Sequence, residues 1–451
     1  MRHFGHVAPE MREHLFHRQP CHFTADAPAP LLSMALGATL YSPATRPRLA
    51  EDILKQTRHG VISMVLCLED SIDDAEVDAA EENVIRQLIQ LWAQVEADHA
   101  AWADADRGRV PSALRSRNSA GTAVELGRTA AEALGTGASA AGVATMRATH
   151  SGGSARGAPD TGLPLLFIRV RTPSQIPDLV GRLGPAVRLL SGFVLPKFTE
   201  ETGVPFLEAL SAAESMSEHR LFAMPVLESP ELLHLETRTE TLTGIARTVD
   251  KYRDRVLALR LGVTDFCSAY GLRRSPDMTA YDVQIVAAVI GDVVNVLGRA
   301  DGTGFTVTGP VWEYFRLQER MFKPQLRQSP FIGRAEHLRT ALIEHDLDGL
   351  LREVELDRAN GLLGKTCIHP SHVLPVHALS VVSHEEFSDA QDILSSGPDG
   401  GGVLRSTYTN KMNEVKPHRA WAERTVQRAE VFGVARENVG FVELLTAGLA
   451  G

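Results

Sequence analysis

Eight short apolar runs, each followed by a longer stretch of helical periodicity, constrain this chain more than any other feature. The runs are Thr39–Tyr41, Val61–Leu68, Leu165–Val170, Gly192–Leu195, Phe222–Leu227, Val256–Leu261, Phe305–Thr308 and Gly364–Ile368. They are apolar almost without alternation, as strands buried on both faces are. Between them, segments such as Asp74–Ala97, Glu231–Val249 and Tyr281–Leu297 place apolar residues at helical spacing. Ser229-Pro230 marks a strand end, with Pro230 suited to the first turn of a helix. Eight strands alternating with helices predict an α/β fold, a closed (β/α)8 TIM barrel; an open doubly wound sheet is the alternative. A chain of 451 residues has room for the barrel and appendages.

The expected layout has three parts. Residues 1–34 form an N-terminal segment packed on the barrel, 35–394 form the barrel, and 395–451 form a joint followed by a helical extension or lid. Within the barrel, Asp106 to Asp160 is rich in Ala, Gly, Ser, Thr and Arg and includes the low-complexity piece Gly135–Ala144. It reads as a surface insertion, helical at first and partly disordered, with a functional lid as the alternative. Ser395–Gly402 reads as a flexible joint before a charged tail.

Composition excludes several partners. Lys and Arg number 46 against 56 Asp and Glu, a net charge of −10, which predicts no nucleic-acid coat and no binding to anionic membranes. No run approaches the roughly 18 apolar residues of a membrane span. The stretch from Met1 to Pro20 has no apolar core of a secretory signal. Cys21, Cys67, Cys267 and Cys367 have no CxxC spacing. Free thiols in a cytoplasmic protein are the simplest reading.

In a parallel barrel the reactive groups stand at the carboxyl ends of the strands. There the sequence sets Glu69 and Asp70 after the second run, Arg169 and Arg171 at the third, and Lys197 after the fourth. Glu228 follows the fifth, Asp265 the sixth, and Cys367 and His369 the eighth. Glu228 and Asp265 end neighbouring runs, so their carboxylates can converge on one hard cation such as Mg2+, although each is also a plausible helix-capping acid. Arg169 supplies a planar cationic fork suited to a carboxylate or enolate oxygen, and Glu69 or Asp70 could hold it in place. Together these groups suit chemistry in which negative charge develops on a carbonyl oxygen.

Two further signals point to no chemistry. Gly364-Lys-Thr366 resembles the end of a phosphate-binding loop, but Ala359 stands where that loop needs glycine, and the segment runs into a strand instead of opening a helix. The histidines His3, His6, His14, His17 and His22 lack metal-ligand spacing.

At these residues the sequence resembles the HpcH/HpaI aldolase and citrate lyase β-subunit-like superfamily of metal-dependent carbon–carbon lyases. The matching pieces are Val65-Leu-Cys-Leu-Glu-Asp70, Phe167-Ile-Arg-Val170, Val194-Leu-Pro-Lys197, Pro225-Val-Leu-Glu-Ser229, Leu261-Gly-Val-Thr-Asp265 and Gly364-Lys-Thr-Cys-Ile-His-Pro370. They occur in family order across roughly residues 35–395. Arg2-His-Phe, Pro310-Val-Trp-Glu-Tyr-Phe315 and Lys411-Met-Asn-Glu-Val-Lys-Pro-His418 are similar to a narrower, mainly bacterial subgroup of TIM-barrel carbon–carbon bond lyases linked with tellurite-resistance-type gene clusters.

The resemblance implies Mg2+, with Mn2+ as a substitute, on Glu228 and Asp265, and Arg169 on the reacting oxygen. Glu69, Asp70 and Lys197 would complete the catalytic set. It also implies a homo-oligomer, a trimer or hexamer, in which a C-terminal segment closes a neighbour's site. In this chain Lys411–His418 is expected to cap an active site and bring Glu414 within reach as a proton donor or acceptor, with a helix packed on the barrel's outside as the alternative. Relatives that use coenzyme A begin the first strand with an Arg-Ser pair, whereas this chain has Gly37-Ala-Thr, with Arg46 following the strand. That departure counts against a CoA thioester. Arg171 stands where relatives often carry asparagine, which favours a more anionic ligand, with Arg46 and His369 as further substrate contacts. The expected activity is a Mg2+-dependent lyase or aldolase acting on a small acidic oxo- or hydroxyacid or its conjugate. The alternatives are a hydrolase on the same site and a catalytically retired scaffold.

Overall fold

The computed structural model describes residues 1–108, 162–315, 347–397 and 400–450. Strand β1 (Phe16–Arg18) precedes eight parallel strands: β2 (Ala38–Pro43), β3 (Ser63–Cys67), β4 (Leu165–Arg169), β5 (Leu190–Leu195), β6 (Phe222–Leu227), β7 (Leu259–Leu261), β8 (Val307–Trp312) and β9 (Lys365–Cys367). They close in the order β2 to β9, and β9 pairs back onto β2 through Ala38 and Lys365. That pairing decides for the barrel over the open sheet. All eight apolar runs become barrel strands in the expected order.

Several boundaries differ by one to four residues, that of β8 the most. Strand β8 continues past Thr308 to Trp312, through Pro310. Its register against β9 shifts between Gly309 and Val311, so the proline, which has no N–H to give the ladder, sits in the irregularity.

The amino-terminal end of the barrel is closed by the chain's own beginning and end. Phe23, Leu32 and Met34 pack with Ile62, Leu165, Phe222 and Leu257, all near strand starts, and with Val431 and Phe432 of helix Val415–Phe432. Strand β1 pairs antiparallel with β12 (Val434–Ala435), joining the two ends of the sequence. The helix therefore covers the end of the barrel opposite the strand termini that carry the acids.

The stretch expected as a flexible joint leads into well-anchored structure. Strands β10 (Val403–Arg405) and β11 (Met412–Glu414) form a ribbon. Lys411 pairs with Glu385 at 2.6 Å and Asp389 at 2.8 Å. Ala390 and Ile393 pack on Ala422, so helices His384–Ser395 and Val415–Phe432 share an apolar contact across the expected boundary at 395. Residues Met1–Trp92 and Asp160–Gly451 form one compact unit and Ala93–Pro159 a second. The expected 106–160 insertion lies almost wholly outside the described residues.

Candidate active site at the carboxyl ends of the strands

Strands β3, β4 and β6 deliver a compact ionic cluster. Arg169, the last residue of β4, directs Nη2 to Glu69 at 2.7 Å, to Asp70 at 3.1 Å and to Glu228 at 2.9 Å. Glu228 lies one residue past β6 and is buried, as is Glu69 just beyond β3. Glu69 also accepts a bond from Lys197 Nζ at 3.1 Å, and Glu228 accepts one from the Lys197 backbone N–H at 2.9 Å. That second bond requires an unusual backbone: Lys197 sits at φ +47°, in the left-handed region. The close seating of Glu228 depends on Gly262, where an added Cβ would come within 2.3 Å of the glutamate's own Cβ.

Asp265 opens a short helix (Val263–Ser268) after β7 and meets this cluster. Asp70, Glu228 and Asp265 each present a carboxylate oxygen, all within 4.8 Å of one another. Burial pushes the Glu228 carboxyl up to about 7, with Arg169 pulling down and Asp265 pushing further up. Burial and the nearby Asp70 charge likewise raise Asp265. Burial raises Glu69 against the pull of Arg169. Asp70 ends below the ordinary range despite partial burial, because its hydrogen bond with Glu69 and the Arg169 cation favour its anion. Carboxylates crowded so that they resist ionising are the donor set a divalent cation relieves, and their all-oxygen chemistry fits a hard ion. Arg169 has a further unsatisfied donor: its Nε–H is buried with no hydrogen-bond partner.

The cluster lines a cavity of about 730 Å³. Its walls include Tyr41, Arg169, Arg260, Asp265, Arg273 and Glu313. Glu313 and Tyr314 of the Pro310–Phe315 stretch brace one wall: the Tyr314 hydroxyl donates to the Arg274 carbonyl at 2.5 Å, and Thr264 donates to Glu313 at 2.6 Å. A second cavity, about 840 Å³, lies among His14, His17, His384, Arg436 and Glu443 and touches none of the three clustered carboxylates.

The other sequence-expected residues stand elsewhere. Arg171 does not line the cavity; its guanidinium donates to the carbonyls of Leu68 at 2.6 Å, Glu69 at 3.2 Å and Ile72 at 3.3 Å, and it pairs with Asp74. Arg46 pairs with Asp52 at 2.6 Å on the surface. His369 caps the turn at Pro370–His372 through Ser371 and stacks on Phe315 at 4.7 Å. Glu414 ends the β10–β11 ribbon, is exposed, and lines no part of its own chain's cavity. Lys365, the lysine of the phosphate-loop near-match, is fully buried and bonded to Glu353 at 2.6 Å and Asp357 at 2.7 Å. All four cysteines are free thiols.

Arg260 and Arg273 are cavity residues that the sequence reading passed over. Arg273 is exposed and makes no ion pair among the described residues, while its neighbour Arg274 is committed to Glu353 at 2.7 Å. A lone arginine in the otherwise apolar Val256–Leu261 run was the available signal for Arg260.

A family model, the C–C bond lyase of the TIM-barrel fold, matches residues 30–113 and 138–434. The chain belongs to this family. The match omits residues 114–137, inside the expected insertion. No curated protein matches the sequence. Among solved structures, CitE from Mycobacterium tuberculosis, in complex with magnesium, acetoacetate and coenzyme A, is 15% identical, with a TM-score of 0.46, over 88% of this chain and 99% of its own. RipC from Yersinia pestis is 14% identical, with a TM-score of 0.39, over 77% and 95%. Haloferax volcanii malate synthase, as a lead(II) complex, is 12% identical, with a TM-score of 0.42, over 75% and 71%. No helix of the described residues is long and apolar enough to cross a membrane.

Proposed function

We propose that this member of the carbon–carbon bond lyase family is a Mg2+-dependent lyase or aldolase that makes or breaks the bond beside a carbonyl in a small acidic oxo- or hydroxyacid or its conjugate. The observation that carries this reading is the convergence of Asp70, Glu228 and Asp265 beside the buried Arg169. Glu228 and Asp265 are the proposed ligands, with Asp70 close enough to join them or to hold the ion's water; Mn2+ substitutes for Mg2+. When bound, the ion polarises the substrate carbonyl and stabilises negative charge on its oxygen.

The chain's own groups do the rest. Arg169 is locked on one side by three carboxylates, so its remaining N–H groups meet a developing oxyanion without reorganising. Lys197 and Glu69, bonded at 3.1 Å, form a proton-bearing pair at the same mouth, placed to protonate a departing carbanion or to take the proton back. In the proposed assembly, a trimer or hexamer, Glu414 of one subunit serves a neighbour's cavity; chains carrying Glu414→Gln mixed with chains carrying Arg169→Ala test that arrangement by restored turnover.

The test of the central reading has two parts. Calorimetric titration of Mn2+ should give one site in the wild type that Glu228→Gln and Asp265→Asn each abolish. Mass spectrometry of turnover on oxo- and hydroxyacids and their CoA thioesters should then show two carbon fragments. Absence of divalent binding with substrate present would point to a retired scaffold. Release of only an acid and its carrier would make the protein a hydrolase.

A further inference from the structure

Arg260 is a buried cation with no anion. It lies on β7, 1% exposed, yet it borders the cavity. Among the described residues no carboxylate comes within ion-pair reach of it. Its guanidinium donates instead to two hydroxyls across the barrel, Thr39 at 3.3 Å and Thr366 at 2.5 Å, and stands 5.3 Å from the centroid of the Tyr41 ring. Thr308, its register partner on β8, has a buried hydroxyl with no hydrogen-bond partner. Two other deeply buried cations among the described residues are neutralised: Lys365 by two acids and Arg274 by Glu353.

Taking a guanidinium out of water costs several kcal/mol of solvation, and neutral hydroxyls return only part of it. A folded chain that keeps such a charge beside an open cavity is organised for an anion that arrives from outside. The planar fork suits two parallel bonds to a carboxylate. The place also fits the reaction: Arg260 lines the same cavity as Arg169, Glu228 and Asp265.

We propose that Arg260, with Thr39 and Thr366, is the receptor for a substrate carboxylate on the floor of the barrel. The substrate is then a compact acid with its reacting carbonyl at Arg169 and its carboxylate at Arg260. This deepens the lyase reading by naming a substrate class for the same cavity. Arg171, the residue whose sequence position suggested an anionic ligand, is spent on backbone carbonyls, so Arg260 takes over that role.

Malonate, an inert diacid, and acetate serve as probes, titrated into the full chain without metal and again with Mn2+. Malonate should bind the wild type, with acetate weaker. Arg260→Met and Arg260→Gln should each weaken malonate about ten- to a hundredfold, the worth of a charge-assisted bond, and erase its advantage over acetate. Mn2+ affinity should be unchanged in both variants. Without ligand, both variants should melt at or above the wild-type temperature, because an unpaired buried charge has been removed. Malonate binding unaltered in the variants, or a melting point several degrees lower without ligand, would make Arg260 a structural cation and overturn the proposal. Failure of Mn2+ to bind while malonate still depends on Arg260 would instead sink the lyase reading and leave this subsite standing.

Discussion

Lys365→Met removes the ammonium from a fully buried ionic network. Lys365 and Glu353 are both fully buried, and Asp357 nearly so. Without the lysine, Glu353 keeps Arg274 at 2.7 Å and the backbone N–H of Ala280 at 2.7 Å. Asp357 keeps only the Tyr281 hydroxyl, at 2.8 Å. One carboxylate thus loses its cation while its burial stays, a change that costs about 3–5 kcal/mol. Burial already pushes Asp357 up to about 6 in the intact chain, against the pull of Lys365. A carboxyl raised in the folded state favours folding while it is protonated, and that contribution is lost as pH rises through about 6. Removing Lys365 raises Asp357 further, so the deficit of the variant should narrow as pH falls from 8 to 5. Urea unfolding of wild type and variant at those two pH values measures both effects. A loss below about 1 kcal/mol at pH 8, or a deficit that grows on acidification, would refute the account. So would a variant of normal stability that had lost nucleotide binding, since that would restore the phosphate-loop reading of Gly364-Lys365-Thr366.

Arg169→Lys should lower turnover by about a hundredfold or more with an unchanged circular dichroism spectrum, since lysine keeps the charge and loses the fork; near-normal turnover would make Arg169 a purely structural ion-pair residue. Burial holds the His3 ring down to about 3 and His372 down to about 4, and keeps His377 well below its usual value. Each is neutral when folded and gains a proton when unfolded, so their stabilisation is complete above about 6.5 and falls by about 1.4 kcal/mol per histidine per pH unit below it. Glu228 and Asp357, raised in the folded state, push the wild-type profile the other way over the same range, so the readout is a difference. His3→Gln should gain on the wild type in urea midpoint as pH falls from 7 to 5.5, and a pH-independent difference would count against a neutral buried His3 ring. Deleting residues from Ser406 onward removes Val431 and Phe432 from the barrel's closed end, so sedimentation and thermal melting should report an unfolded or aggregated chain; a stable truncated barrel would mean the helix only rests on it.

The barrel was legible because its evidence is periodic. Continuous apolar strands separated by amphipathic helices leave few ways to bury both faces, and small errors at strand ends do not change the topology. Much of the carboxylate cluster was legible for a related reason, since residues just past barrel strands commonly face the mouth, as Glu228 does, although Arg171 and His369 turn away from it. Asp70 was read as a support, and only the geometry brings its oxygen as near as those of Glu228 and Asp265. Single cations resisted reading. Arg171 and Arg260 both sit on or beside apolar runs, and nothing local says that one meets carbonyls and the other meets hydroxyls. Glu353 and Asp357 stand four residues apart on one helix, a spacing that implies a shared face but not the lysine they enclose.

Arg171 has a thermodynamic consequence. Three backbone carbonyls between residues 68 and 72 are fastened to one guanidinium just past the adjoining strand, so the segment carrying Glu69 and Asp70 has already lost most of its freedom before any ligand arrives. Ordering entropy at that edge of the cavity belongs to folding and not to association, which leaves binding there with a small conformational component. A loop fastened in this way also resists adaptation. Substrates of a different shape would have to be accommodated on the far side, where Gly271, Leu272 and Arg273 line the cavity with exposed chain.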